Sequence, residues 1–181
     1  MLTPISEYAR LRRGAIQAMA TEIERKFLVR SDEWRKNISE SIPIAQGYIQ
    51  AERDRTVRVR LKGESAFLTV KIARSEIERL EFEYPIPVED ARQLINSACT
   101  EGSISKTRHL VAASEGLIWE IDEFTDENSP LIVAEIELER TDQHFDVPSW
   151  LGKEVSDDPR YLNACLAQTP WQRWPENQPK T

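Results

Sequence analysis

One short segment carries the clearest structural signal in the chain: Arg55-Thr56-Val57-Arg58-Val59-Arg60-Leu61-Lys62. From Val57 onward, apolar and cationic side chains alternate without a break. Successive side chains of a β-strand point to opposite faces of the sheet, so one face of this segment is apolar and the other is positively charged. The sequence therefore predicts a strand that is buried on one side and carries a row of cations on the other.

The same two-residue period extends from Glu22 to Arg140, on both sides of this segment. The candidate strands are residues 22–30, 46–51, 55–62, 66–73, 78–86, 103–112, 116–124 and 130–139. Helices are predicted at 31–38, 88–98 and 158–168. Many short strands with few helical crossovers favour a mainly β fold, an eight-stranded antiparallel sheet that closes into a barrel with flanking helices.

The domain organisation is simple, since 181 residues correspond to one domain with appendages. Residues 1–19 are predicted to be a helical N-terminal extension, and residues 20–169 the folded domain. Residues 170–181 form a proline-rich tail that Trp171 and Trp174 could pin to the domain.

Composition excludes several classes of protein. The net charge of −7 argues against a dedicated nucleic-acid binder, and no apolar run approaches the roughly 18 residues that a membrane span needs. Cys99 and Cys165 lie far apart, which favours a reducing, cytoplasmic location. The sequence contains no phosphate-binding P-loop, dinucleotide-binding, zinc-protease or serine-hydrolase motif.

Charged side chains recur on one face of nearly every candidate strand, and their sign is largely segregated by strand. The first and the last two strands are mostly acidic, several between them are basic, and 78–86 is mixed. A sheet with one solvated face also alternates, but it mixes signs more freely. The alternative is a barrel of about eight strands with an apolar outside and a charged bore.

A charged bore has a specific chemical use. Burying many unpaired charges is costly, but the cost falls if the bore is wet and takes up a polyanion together with divalent cations. Arginine and lysine bind phosphate oxygens through charge-assisted hydrogen bonds, and carboxylates bind Mg²⁺ or Mn²⁺. The pattern therefore indicates a site for a phosphate chain and its metal.

Several short motifs occur in an order that resembles the CYTH family, the triphosphate tunnel metalloenzymes. They are Glu22-x-Glu24-x-Lys26, Gln46-Gly47-Tyr48, Arg58-x-Arg60, Leu68-Thr69-Val70-Lys71, Arg79-x-Glu81-x-Glu83, Lys106-Thr107-Arg108, Glu120-Ile121-Asp122 and Glu135-Ile136-Glu137. The resemblance covers about residues 20–168 and is greatest to the short stand-alone bacterial inorganic tripolyphosphatases. It implies an eight-stranded antiparallel tunnel that binds a triphosphate.

The resemblance and the charge pattern together assign roles to individual residues. Substrate binding is assigned to Lys26, Arg58, Arg60, Lys71, Arg79, Lys106 and Arg108. One or two divalent cations, Mg²⁺ or Mn²⁺, are assigned to Glu22, Glu24, Asp122, Glu135 and Glu137. Lys26, Tyr48 and Lys106 are the catalytic candidates; the resemblance implies that Tyr48 is a proton acceptor, and the alternatives are a hydrogen-bonding or a packing role.

The predicted function is metal-dependent hydrolysis of a triphosphate, with inorganic tripolyphosphate as the preferred substrate. A class IV-type adenylate cyclase, a thiamine-triphosphatase and a non-catalytic module that binds polyphosphate or a nucleotide are the alternatives. The expected partner is a small-molecule triphosphate substrate, and binding to nucleic acid or a membrane is not expected. The sequence is compatible with a homodimer.

Overall fold

The computed structural model describes residues 20–52, 54–75 and 78–178; for residues 20–22 it describes the backbone alone. The strands are β1 (Ala20–Val29), β2 (Ile38–Ala51), β3 (Arg55–Lys62), β4 (Ser65–Ala73), β5 (Glu78–Ile86), β6 (Ser103–Ala112), β7 (Ile118–Phe124), β8 (Ile132–Leu138) and β9 (Leu151–Glu154). The α-helices are α1 (Val88–Ser97) and α2 (Asn163–Gln168). Within these residues, no helix is both long enough and apolar enough to cross a membrane.

The strands form a closed antiparallel barrel. Neighbouring strands follow the order β5-β4-β3-β2-β6-β7-β8-β1, and β1 pairs back onto β5 through Ala20–Ile23. The prediction of eight strands that close on themselves is confirmed. A ninth strand, β9, pairs with β1 at Phe27 and Val29, outside the closed cycle. Its four residues are too few to show a two-residue period, so the sequence did not predict this strand.

Three predicted element boundaries need correction. β2 begins at Ile38 rather than at residue 46, because backbone pairing with β6 extends it through a segment in which Ser39-Glu40-Ser41 and Pro43 obscure the strand pattern. The helix predicted at 31–38 is a single 3₁₀ helix, Glu33–Asn37. The helix predicted at 158–168 is interrupted at Leu162, whose extended backbone separates the 3₁₀ helix Pro159–Tyr161 from α2. Residues 1–19 lie outside the described part of the chain.

The largest apolar cluster lies outside the barrel. Phe27, Trp119, Phe145 and Trp150 pack edge to face, with ring centroids 5.6 to 6.1 Å apart. Phe27 and Trp119 come from the outward faces of β1 and β7, whereas Phe145 and Trp150 come from the chain that follows β8. Such edge-to-face aromatic pairs add stability beyond the area that they bury. The C-terminal part of the chain therefore covers one outer flank of the barrel.

Helix α1 covers another flank. Its Ala91 is fully buried and belongs to one cluster with Val59 of β3 and Ala66 of β4. Val59 is an apolar member of the alternating segment from which the strand was predicted. Its contact with α1 assigns the apolar face to the outside of the barrel and the arginine face to the inside.

One end of the barrel is closed by α2 and the residues that follow it. Leu166 and Trp174 pack against Ile104, Phe124 and Val133, which lie on β6, β7 and β8. The Trp174 indole donates a 3.0 Å hydrogen bond to the Thr169 carbonyl, so the tail is held here, as its tryptophans suggested. The contact at Gly102 is close, since an added Cβ would lie 2.3 Å from the Ala167 carbonyl oxygen.

The packing of α1 can be tested at Val59. We expect Val59→Ala to lower the free energy of unfolding by about 1–3 kcal/mol, because it leaves a cavity under the helix. Urea unfolding measures the loss. Val147→Ala is the matched control, because Val147 is 66% exposed and should change stability little. Equal stability of Val59→Ala and the wild type would contradict the assignment of this face to the core.

Candidate active site: the charged bore

The charged faces of the strands point into the barrel and line a narrow cavity of about 70 Å³. Its lining includes Arg58, Arg60, Lys71, Arg108, Glu120 and Glu137. This is well below the roughly 300–1,000 Å³ of small-molecule sites, because ion-paired side chains fill much of the bore. A second cavity adjoins it beside Tyr48 and the start of α2, and shares Glu24, Arg58, Lys71 and Asn163 with the first. The solvated-face alternative is therefore wrong, and the bore is the candidate site.

A continuous ion-pair network crosses the bore between β6, β7, β8 and β1. The Arg108 guanidinium binds Asp122 through two hydrogen bonds, of 2.7 and 2.6 Å, and also contacts Glu120. Its Nη2 donates to Glu135 at 2.8 Å, and Glu135 in turn pairs with Lys26. Strand register places these groups together, because Arg108 lies opposite Asp122 and Lys26 opposite Glu135. Each carboxylate therefore faces a cation from an adjacent strand.

Lys106 is the most enclosed cation of the network, with a fully buried side chain. Its Nζ pairs with Asp122, donates to the Asn163 side-chain oxygen at 3.2 Å and lies 5.2 Å from the centre of the Phe124 ring. Burial lowers the pKa of Lys106 to about 8, because desolvation and the neighbouring Arg108 outweigh the attraction of Asp122. This ammonium can therefore release a proton more readily than an exposed lysine.

Arg58 and Arg60 are paired less completely. Arg58 Nη2 donates to Thr69 at 3.0 Å and to Glu83 at 3.4 Å, but its buried Nε has no hydrogen-bond partner among the described residues. Arg60 pairs with no described carboxylate, and its Nε donates to Gln46 at 3.1 Å. Burial and the repulsion of Arg58 and Arg108 lower the pKa of Arg60 to about 10. These two cations leave donors available for an anion.

Glu24 lies between cations of two strands. Its Oε1 is 3.0 Å from Lys26 Nζ and 3.3 Å from Arg79 Nη1. Burial opposes ionisation, but the attraction of Lys26, Lys71 and Arg79 prevails and lowers the pKa of Glu24 to about 2. Lys71 itself pairs with Glu81 at 3.0 Å. Glu24 is therefore a carboxylate at any physiological pH.

Glu137 has a different environment, because it pairs with no described cation. Although the residue is exposed, partial desolvation raises its pKa, and the nearby carboxylates of Glu120, Glu81 and Glu24 raise it further. Carboxylates crowded in this way are the oxygen ligands that hard divalent cations prefer. No three histidine, cysteine or acidic side chains within the described ranges already stand in metal-binding geometry, because most carboxylates face lysines and arginines instead. The donor chemistry fits a divalent cation, provided that some of these ion pairs separate.

Tyr48 faces the bore, with 3% of its surface exposed. Its hydroxyl accepts a 2.8 Å hydrogen bond from Gln46 Nε2. Burial raises the pKa of Tyr48 to about 12, despite the opposing effect of Arg58, Arg60 and Lys26. The phenolate is consequently rare at neutral pH, which makes Tyr48 a poor proton acceptor.

The bore brings together the site residues named from the sequence, as far as their side chains are described. The two cavities are lined by Glu24, Lys26, Tyr48, Arg58, Arg60, Lys71, Arg79, Arg108, Glu135 and Glu137. Asp122 and Lys106 are joined to this lining through the ion pair of Asp122 with Arg108. The Glu22 backbone lies opposite Arg79, but its side chain is outside the described part. Gln46, Thr69 and Asn163 also belong to the bore, but no role was predicted for them, because uncharged residues add nothing to an alternating charge pattern.

Comparison with known proteins agrees with this architecture. Residues 20–164 match the CYTH domain family. An inorganic triphosphatase of Acetivibrio thermocellus is 42% identical over 158 residues, which cover 87% of this chain and 100% of that protein. An inorganic triphosphatase of Nitrosomonas europaea is 36% identical over 151 residues, which cover 81% of this chain and 97% of that protein. The crystal structure of the inorganic triphosphatase NE1496 superimposes with a TM-score of 0.59 at 35% identity, covering 83% of this chain and 96% of that one.

The ion-paired carboxylates predict that the free energy of unfolding falls at acidic pH, a decline called here the acid limb. We expect the metal-free protein to lose stability as the pH falls from 4.5, the ordinary pKa of Glu24, to about 2, its pKa in the fold. Over this range the unfolded chain binds a proton at Glu24 that the folded protein does not, so the stabilisation by ionised Glu24 is lost toward low pH. Urea unfolding at stepped pH in a chelating buffer measures the slope.

Glu24→Gln should flatten this acid limb, whereas Glu64→Gln, in the exposed turn between β3 and β4, should leave it unchanged. If the slope is the same in Glu24→Gln and the wild type, Glu24 is not ion-paired in the folded protein.

Proposed function

The chain belongs to the CYTH domain family, and on that premise we propose that it hydrolyses inorganic tripolyphosphate in the charged bore. One observation carries the proposal: two incompletely paired arginines, Arg58 and Arg60, line the same cavity of the bore as the crowded carboxylate Glu137. A phosphate chain supplies oxygen acceptors to the two arginines, and a divalent cation supplies positive charge to Glu137. The names of the relatives, inorganic triphosphatases at 42% and 36% identity, support the same substrate.

When substrate binds, the cations of the bore exchange their carboxylate partners for phosphate oxygens. In the structure, Lys26 and Arg108 neutralise Glu135, and Lys26 also neutralises Glu24. A triphosphate that enters the bore competes for these cations, since phosphate oxygens form equally strong charge-assisted hydrogen bonds. The carboxylates released in this way become available to a metal. Anion and metal are therefore expected to bind together, each lowering the cost of the other.

The metal is proposed to be Mg²⁺ or Mn²⁺, one or two ions, held by Glu24, Glu135 and Glu137, with Glu22 and Asp122 as further candidates. When bound, such an ion supplies charge neutralisation for the phosphates and acidifies a water molecule. Asp122 is the least available of the set, because Arg108 binds both of its oxygens and Lys106 contacts one of them. Asp122 is therefore better suited to orient Arg108 and Lys106 than to bind metal.

The chain's own residues contribute positioning and charge. Arg58, Arg60 and Lys71 hold phosphate oxygens, with Lys26, Arg79 and Arg108 joining them once their carboxylates are released. Lys106, whose pKa is about 8, can place a proton on the pyrophosphate oxygen that leaves. Attack by water yields one orthophosphate and one pyrophosphate. Preorganised positive charge of this kind supplies most of the acceleration in phosphoryl transfer.

A direct assay tests the proposal. The protein is incubated with tripolyphosphate, ATP or thiamine triphosphate and either Mg²⁺ or Mn²⁺, and the products are identified. We expect orthophosphate and pyrophosphate from tripolyphosphate, at a higher kcat/KM than for the other two substrates. Cyclic AMP as the main product from ATP would indicate a cyclase, and no turnover of any substrate would indicate a binding module. Either result would overturn the proposal.

The two incompletely paired arginines should matter more for binding than for folding. We expect Arg58→Met and Arg60→Met each to lower the affinity for tripolyphosphate about 10- to 100-fold, the loss that follows removal of a hydrogen bond between charged groups. Calorimetric titration in the presence of the metal measures the affinity. Arg140→Met is the control, because its side chain is 71% exposed after β8. Wild-type affinity in both bore variants would place the substrate elsewhere.

A further inference from the structure

Gln46 is a buried polar residue of the bore with no assigned role. Its side chain lies on β2 with 1% of the residue exposed, between Arg60 and Tyr48. Its oxygen Oε1 accepts a 3.1 Å hydrogen bond from Arg60 Nε, and its Nε2 donates a 2.8 Å hydrogen bond to the Tyr48 hydroxyl. Both polar ends of the amide are therefore used, and each is used by a side chain of the proposed site.

The direction of these two hydrogen bonds follows from chemistry. A guanidinium has donors and no acceptor, so the group of Gln46 that faces Arg60 must be its carbonyl oxygen. The amide nitrogen then faces Tyr48, and the Tyr48 oxygen accepts. The phenol of Tyr48 has one hydrogen to donate. Nε2 of Gln46 cannot accept that hydrogen bond, because an amide nitrogen is only a donor. The arrangement leaves the Tyr48 hydrogen free to point to another acceptor.

The surroundings of Tyr48 identify that acceptor. Strand register places Tyr48 directly opposite Arg58, and Gln46 directly opposite Arg60. The unpartnered Nε of Arg58 and the carboxylate-free Arg60 are the cations best placed to hold a phosphate. Tyr48 and Arg58 line the same cavity, so a phosphoryl oxygen bound by Arg58 is the acceptor that this hydroxyl would meet. The raised pKa of Tyr48, about 12, keeps the hydroxyl protonated at neutral pH, as a donor must be.

We propose that Gln46 is a positioning residue that holds Tyr48 as a hydrogen-bond donor to a phosphoryl oxygen of the substrate. The inference rests on the proposed function, because it needs a phosphate chain in the bore. Arg60 fixes the orientation of the Gln46 amide. Gln46 donates a hydrogen bond to the Tyr48 oxygen, and the hydroxyl hydrogen of Tyr48 is thereby directed to the substrate. Tyr48 then binds phosphate and does not act as the base that accepts a proton from water.

The proposal predicts a particular pattern of kinetics for tripolyphosphate at saturating metal. We expect Tyr48→Phe to lower kcat/KM about 10- to 100-fold, mainly by raising KM, because it removes a hydrogen bond to a charged acceptor. Gln46→Glu keeps the size of the side chain but presents an acceptor to Tyr48, so it turns the hydroxyl hydrogen away from the substrate. Its kcat/KM should fall at least as far as that of Tyr48→Phe.

A double variant separates positioning from packing. Gln46→Met removes both hydrogen bonds, and in combination with Tyr48→Phe it should cost little more than Tyr48→Phe alone, because the two residues act through one contact. Gln50→Met is the matched control: the same substitution on the same strand, two residues beyond Tyr48, should keep kcat/KM within about twofold. The melting temperature of each variant shows whether it folds. If Gln46→Met does not fold, Tyr48→Phe and Gln46→Glu still test the proposal.

The outcomes are distinct. Wild-type KM in Gln46→Glu, or fully additive losses in the double variant, would overturn the inference while leaving the proposed function intact. A loss in Tyr48→Phe confined to kcat, together with disappearance of one limb of the pH profile, would assign Tyr48 as a base and also overturn it. An inactive wild type would overturn the proposed function and this inference with it.

Discussion

Burial of charge inside a closed sheet is the constraint on which the rest of this molecule depends. Ions that leave water lose several kcal/mol each unless opposite charges replace their hydration. The antiparallel register meets this need, since Arg108 lies opposite Asp122 and Lys26 opposite Glu135. The ion pairs offset the cost of burying these charges, and apolar packing is concentrated on the exterior, where α1, the aromatic cluster and the C-terminal residues lie.

The same constraint explains how one bore can bind an anion and a cation. Lys26 and Glu135 satisfy each other in the structure, yet each is also a good partner for a component of a metal–triphosphate complex. Binding can therefore proceed by exchange of partners within a fixed barrel. Under the proposed function, this exchange would begin at the incompletely paired Arg58 and Arg60 and the crowded Glu137, because they gain most from new partners.

Much of this organisation could be predicted from the sequence, and the reasons are specific. Strict alternation around Arg58 and Arg60 fixed the strand and its two faces, and repetition of the pattern on other strands indicated a closed barrel. β9 and the first half of β2 were missed, because tertiary pairing rather than side-chain pattern makes them strands. Gln46 was missed as a functional residue for a related reason: its role depends on Arg60 and Tyr48, which only the register brings together. The pKa of Tyr48 could not be predicted either, since burial and nearby cations act in opposite directions.

The exchange of ion pairs in the bore is tested most directly by a crystal structure of the protein with tripolyphosphate and Mn²⁺, in which anomalous scattering locates the metal. The account predicts phosphate density against Arg58 and Arg60, manganese against Glu24 and Glu137, and separation of Lys26 from Glu24 or Glu135. Phosphate bound on the outer surface, or an unchanged Lys26–Glu135 pair in a bore filled with substrate and metal, would contradict it.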